Sequence, residues 1–136
     1  MIVIVDANVI IAALLGSRST IAILFSQNYN FYSPNFLIDE IEKKKDLICN
    51  LGHINNDEFD INLISLLILV KTIDKIEYDE YIEEATKIIG KKDIKDVDYI
   101  ASALYIEADF IWTNDKDFSE QKSIKILTTE EIITNK

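Results

Sequence analysis

The chain has 136 residues, 49% of them hydrophobic, a formal net charge of −10, one cysteine and one histidine. That length suits a single domain with a core of its own, the apolar content excludes a disordered chain, and Cys49 alone forms no internal disulfide, so nothing demands an oxidising compartment. The acidity works against simple electrostatic attraction to nucleic acid, which calls for a basic surface.

Ile2-Val3-Ile4-Val5 is an unbroken β-branched run. It reads as a strand covered on both faces, hence central in a parallel sheet. Asp6 ends it, Asn8 follows, and Val9 to Leu15 continues as an apolar helix stopped by Gly16. Taken alone, Asp6 reads equally as an N-cap of that helix. Ser19 is the expected cap of a second helix running to about Gln27. Phe31-Tyr32-Ser33 is a short strand closed by Pro34. A helix opens near Asn35 with Leu37 and Ile41 on one face and Glu40 beside it. Glu40 and Lys44 have the spacing of an ordinary surface ion pair.

Asn56 is expected to cap the next helix, with Asp57 and Glu58 in its first turn. The run Ile61 to Val70 is core or a face for a second copy, and it is far too short to span a bilayer. Val70 to Ile76 reads as a helix end or as a short extended piece. His53 lies in a polar loop without companion ligands and reads as surface. Tyr78 to Ile89 is a helix ended by Gly90. Tyr78 and Tyr81 read as packing residues.

The stretch Asp93 to Phe118 carries most information. Asp93 and Asp96 open a helix whose apolar face holds Ile100, Ala101, Leu104 and Ala108. Phe110-Ile111-Trp112 fits a covered strand. Thr113, Asn114, Asp115 and Asp117 crowd its C-terminal end, where open parallel α/β sheets bind ligands. Ile124, Ile126 and Leu127 suggest a last strand, and Thr128 or Thr129 caps a short helix over Glu130 to Ile133. The order of elements describes an α/β sandwich around a small, mostly parallel sheet. No N-terminal basic region precedes a long apolar run, so a secretion signal is not expected and a cytoplasmic protein is.

Each acid has an ordinary local explanation. Together, Asp6, Glu40, Asp96 and Asp115 belong to elements that plausibly face one cleft. Carboxylates so crowded repel and raise one another's pKa. A divalent cation relieves this, and all-oxygen ligands suit Mg2+ or Mn2+. One or two such ions, about 3.5–4 Å apart when paired, hold a phosphodiester oxygen, activate water and stabilise the leaving oxygen. They also offset the acidity of a protein that handles a polyanion. With no companion histidine to act as base, ion-activated water is the expected nucleophile, leaving 5′-phosphate and 3′-hydroxyl ends.

The motifs Val5-Asp-Ala-Asn-Val9, Asp39-Glu-Ile41, Asp93-Ile-Lys-Asp96 with Ala101-Ser-Ala-Leu104, and Trp112-Thr-Asn-Asp-Lys-Asp-Phe118 run in one order along the chain. In this the sequence resembles the PIN-domain nucleases over essentially its whole length, residues 1–136. The resemblance implies a three-layer sandwich with a central five-stranded, mostly parallel sheet and a magnesium- or manganese-dependent ribonuclease site. It implies Asp6, Glu40, Asp96 and Asp115 as catalytic, metal-binding acids, Asn8 and Thr113 as polar supports, and Asp93 and Asp117 as peripheral acids for a second ion. Asp98 competes with Asp96 for the third position; the two are some 200° apart on a helix, so both cannot enter one cleft. Lys43, Lys44, Lys91, Lys92, Lys95 and Lys116 flank the motifs and are candidates to touch RNA backbone. Small stand-alone members of this family are often VapC-type toxins held by a VapB-type antitoxin, and are commonly homodimers.

Other readings remain open. A PIN fold with a weak site would be an RNA-binding or assembly module, and a free-standing RNA-processing nuclease would need no antitoxin. Haloacid-dehalogenase-like phosphatases want an aspartate where Asn8 stands. Receiver domains want an early acidic pair that is not evident here.

Overall fold

The computed structural model describes residues 1–90 and 94–134. Five strands, β1 (Ile2–Val5), β2 (Asn30–Pro34), β3 (Val70–Ile73), β4 (Phe110–Trp112) and β5 (Ile126–Leu127), form one sheet in the order β3-β2-β1-β4-β5. Every pairing is parallel. The β-branched run at the N-terminus is therefore the middle strand, with Ile4 facing Tyr32 on one side and Ile111 on the other.

Because strand side chains alternate between faces, the sheet feeds two cores. Val3, Val5, Phe31, Phe110 and Trp112 pack with helices α1 (Ala7–Leu14), α2 (Arg18–Leu24) and α5 (Asn56–Leu67) through Val9, Ile10, Leu24, Phe59 and Leu63. Ile4, Ile73 and Ile111 pack on the opposite face with α7 (Ile82–Ile89) and α8 (Ile94–Ile106) through Ala85, Tyr99, Ile100 and Ala103. The result is a three-layer sandwich, within the α/β class that the order of elements described and in the layered form that the resemblance implied. Full burial of an aliphatic side chain such as Ile4 or Ile10 contributes roughly 1.5–3 kcal/mol.

The remaining helices are α3 (Leu37–Lys43), α4 (Lys45–Gly52), α6 (Lys75–Tyr78) and α9 (Thr129–Thr134). Several ends differ from expectation. Ser17, not Ser19, caps α2, its Oγ accepting from the Thr20 N–H at 3.4 Å. Asn55, not Asn56, caps α5, in a reciprocal pair with Glu58. In each case a neighbouring residue offers the same side-chain chemistry, and only the exit direction of the preceding chain selects between them. Helix α4 is not evident in the sequence because, among its residues, only Ile48 is fully buried, which leaves a weak apolar stripe. It ends at His53, which takes a left-handed conformation with φ 54°; the imidazole is exposed, as expected. The apolar run Ile61 to Val70 is split, α5 ending at Leu67 with no glycine or proline to mark the break, and the ambiguous segment Val70 to Ile76 resolves into the edge strand β3 and the start of α6. Among the described residues no single helix is long and apolar enough to cross a membrane.

Candidate active site

Strands β1, β2 and β3 step away in one direction from the middle of the sheet, and β4 and β5 in the other. The crevice between the C-terminal ends of β1 and β4 is thus the topological switch point, where such sheets leave room for a ligand. Asp6 follows β1 directly and Thr113 follows β4 directly, so both stand at this crevice.

Asp6 is 5% exposed. Its backbone continues the ladder, the Asp6 N–H donating to the Trp112 carbonyl at 3.1 Å. It occupies the N-cap position of α1 with extended φ and ψ, yet its side chain makes no capping hydrogen bond. The carboxylate instead accepts from Thr113 Oγ1 at 2.7 Å through Oδ2. The same Thr113 hydroxyl accepts the Asp115 N–H at 3.0 Å. One buried hydroxyl therefore joins two acidic residues, and Asp115 Oδ1 in turn receives the Asp117 N–H at 3.0 Å. Asp115 is half-buried and caps the 3-10 turn Lys116–Glu120; Asp117 is exposed in that turn.

Burial pushes the Asp6 carboxyl above its ordinary range, and the Asp115 charge adds to this. The Thr113 hydroxyl works in the opposite direction, as do the backbone N–H groups of Asn8 and Ala7, which lie near the carboxylate without completing a capping bond to it. Asn8 is exposed, and its backbone, not its amide side chain, is the group that acts on Asp6.

Glu40, near the start of α3, does not take the expected Lys44 as its cation. Lys95 Nζ lies 3.9 Å from Glu40 Oε2. Strand β2 pairs with β1, and α3 follows β2 with Glu40 in its first turn and Lys44 at its C-terminal end. Burial, then the negative charges of Asp6 and Glu40, raise the Tyr99 hydroxyl pKa. That hydroxyl accepts the Ala7 N–H at 3.1 Å. Tyr99 thus reports that both acids lie near it, and it ties α8 to the first turn of α1.

Asp96 is 7% exposed in the first turn of α8, three residues before Tyr99 and hence on the same flank. Asp98 is also buried but faces elsewhere, accepting the Tyr78 hydroxyl at 2.6 Å. Burial and then Asp98 push the Tyr78 pKa up. Asp93, Lys91 and Lys92 lie outside the described residues.

The sequence did not single out Tyr99, and it offered Thr129 only as an alternative cap of the last helix, a place that Thr128 takes by accepting the Glu131 N–H at 3.1 Å. The spacing from Asp96 to Tyr99 was the available signal for the first. Thr129 accepts from Trp112 Nε1 at 2.9 Å and from Asn114 Nδ2 at 3.2 Å, while its N–H donates to Asn114 Oδ1 at 3.0 Å. It fastens the acidic loop to α9, a contact that no local pattern announces.

The structure therefore joins Asp6, Thr113 and Asp115 directly, sets Glu40 near Tyr99 and Lys95, and buries Asp96 on the Tyr99 flank. Among the described residues, no three acids or other ligands are gathered closely enough to hold one ion. The donor chemistry still fits a hard divalent cation: oxygen ligands only, and a desolvated carboxylate whose charge is opposed by a neighbouring one.

The PIN domain family model matches residues 4–135. Among solved structures, the crystal structure of VapBC2 from Rickettsia felis, bound to a DNA fragment from their promoter, contains a similar chain. The TM-score is 0.71 at 16% identity, with 94% of this chain and 98% of that chain covered. No curated protein sequence gives a significant match.

Proposed function

The chain belongs to the PIN domain family, and on that premise we propose that it is a Mg2+- or Mn2+-dependent endoribonuclease, the toxin of a VapBC-type toxin–antitoxin pair. The observation that carries this reading is the Asp6–Thr113–Asp115 arrangement at the switch point of the sheet. A buried carboxylate at the mouth of a crevice is costly unless a cation or proton neutralises it.

Asp6 and Asp115 would hold the ion, with Asp96 and Glu40 completing the acidic set, and Asp93 and Asp117 serving a second ion. When bound, the ion supplies Lewis-acid stabilisation of the phosphodiester oxygens and activates water. Thr113 favours the ionised form of Asp6 against the effect of burial and aims its carboxylate; Tyr99 holds the first turn of α1 against α8, which fixes where Asp6 leaves β1. Lys95 beside Glu40 sets a positive charge where a phosphate would approach.

Residues 1–136 would form one PIN domain working in the cytoplasm. The exposed apolar residues Ile61, Ile64 and Ile68 on and just beyond α5 suit a homodimer contact. The fold shared with a chain of a VapBC complex supports an antitoxin partner. An RNA-binding module of the same fold would bind without cutting, and a free-standing processing nuclease would cut without an antitoxin.

The test is manganese-dependent cleavage of single-stranded RNA by wild type and Asp6→Asn. The expected result is loss of cleavage in the variant, on the order of 100-fold or more, with 5′-phosphate products from wild type. Equal activity in both, or products ending in 2′,3′-cyclic phosphate, would remove the nuclease claim.

A further inference from the structure

We propose that the cleft between the β2–α3 turn, α6 and α8 binds the nucleotide next to the cleaved phosphate, and that it selects single-stranded RNA by clamping backbone and base together. This rests on the nuclease reading and adds a substrate-binding site to it. The cleft has a volume of about 300 Å3 and is lined by Asn35, Phe36, Lys75, Tyr78, Lys95 and Asp98.

Its position follows from the sheet. Asn35 follows β2, and Lys75 follows β3 after Asp74, so the cleft opens at the same C-terminal edge as Asp6. Two contacts join it to the acidic centre. Lys95 lines the cleft and also reaches Glu40 at 3.9 Å. The Phe36 ring lies 5.4 Å from the ring of Tyr99, whose hydroxyl accepts the Ala7 N–H beside Asp6.

The chemistry of the lining is divided. Lys75 and Lys95 supply cations, in a protein whose net charge is −10. Phosphate neutralisation by lysine is the main source of affinity for a polyanion. Phe36 packs against Tyr99 with the two rings tilted by 59° and offers the cleft an aromatic side chain, the feature on which an unpaired base stacks. Asp98 is fixed by the Tyr78 hydroxyl at 2.6 Å, which engages Oδ2. A carboxylate held there repels phosphate and accepts from a hydroxyl or amino group. Backbone is thereby directed to the lysine side, and ribose or base to the Asp98 side. A duplex keeps its bases stacked inside and cannot use Phe36.

Asn35 Nδ2 donates to Asp74 Oδ1 at 2.9 Å, and the Asp74 N–H donates to Glu77 Oε2 at 2.8 Å. These bonds brace the turn that carries Lys75 and engage the two nearest acids on its own element.

The experiment measures binding of a fluorescein-labelled single-stranded RNA of about twelve nucleotides by anisotropy, in the Asp6→Asn background so that the probe stays intact. Lys75→Ala is expected to weaken binding about 3- to 10-fold and to lower the salt slope by about 0.7, the share of one phosphate contact on a single strand. Phe36→Leu is expected to weaken it about 5-fold or more with the slope unchanged. Lys87→Ala, which removes an exposed cation paired with Glu83 on α7, should match the Asp6→Asn parent. The proposal is overturned if Lys75→Ala binds like the parent, if Lys87→Ala weakens binding as much, or if the parent binds no RNA. Cleavage by the wild-type protein is scored separately. Cutting with no dependence on Lys75 sinks the cleft alone; Lys75-dependent binding with no cutting sinks the nuclease reading alone.

Discussion

Thr113 Oγ1 donates to Asp6 Oδ2 at 2.7 Å, although the two residues are 107 positions apart in the chain. The bond spans the one gap in the sheet where strand order reverses, between β1 and β4. A hydroxyl there satisfies a buried carboxylate without adding charge, and passes its own lone pair to the Asp115 N–H.

Removing that hydroxyl should therefore affect both stability and titration. Thr113→Val leaves the Asp6 carboxylate with one donor fewer, and a destabilisation of about 1–3 kcal/mol is expected in urea unfolding. The Thr113 bond lowers the Asp6 pKa, so its loss raises that pKa further. Because the ionised form is the one that holds a cation, the acid limb of the manganese-dependent pH–rate profile should move to higher pH. An unchanged limb would show that Asp6 is not the group titrating there.

The raised pKa of Asp6 also sets a stability prediction with a definite sign. The folded state binds the Asp6 proton more tightly than the unfolded chain, whose value is near 3.8. Folding stability then falls as pH rises from that unfolded value through the folded one. Above the folded value the cost of the buried charge is fully present. Asp6→Asn should melt higher than wild type at pH 7 in EDTA, by about 3–5 °C for each 1 kcal/mol removed. The difference should vanish below the unfolded value. A variant that melts lower at pH 7 would show that the carboxylate is already compensated.

Manganese should reverse that order. A ligand that binds only the folded state adds about 2.7 kcal/mol at a concentration 100 times its Kd. Wild type should gain several degrees in a manganese titration followed by thermal melting, and Asp6→Asn should gain little. Equal shifts in the two proteins would put the cation elsewhere.

Asp96 and Asp98 are both buried but should behave differently. Asp96→Asn is expected to lower kcat about 100-fold or more, on a par with Asp6→Asn. Asp98→Asn, whose partner is the Tyr78 hydroxyl, should chiefly raise KM. Steady-state kinetics on one RNA substrate separates them, and a reversed pattern would exchange the roles of the two residues.

Ile64 and Ile68 are 61% and 79% exposed on α5 and just beyond it. If two copies meet on this face, Ile68→Glu should convert a dimer to a monomer in light scattering after size exclusion, with melting temperature within about 2 °C of wild type. A dimer that survives the charge has its contact elsewhere.

Local chemistry in the sequence sufficed for the central strand Ile2–Val5, for the acid-led helix α8 running into β4, and for the layered α/β class. Those features depend on side-chain alternation, helical spacing and burial, which act within a few residues. Tertiary structure alone decided the rest. It made β1 the neighbour of both β2 and β4, turned Asp6 from helix capping to Thr113, gave Glu40 Lys95 in place of Lys44, and sent Asp98 to Tyr78. Parallel pairing joins strands through long crossovers, so which acids become neighbours is settled by the winding of the whole chain and not by any short stretch of it.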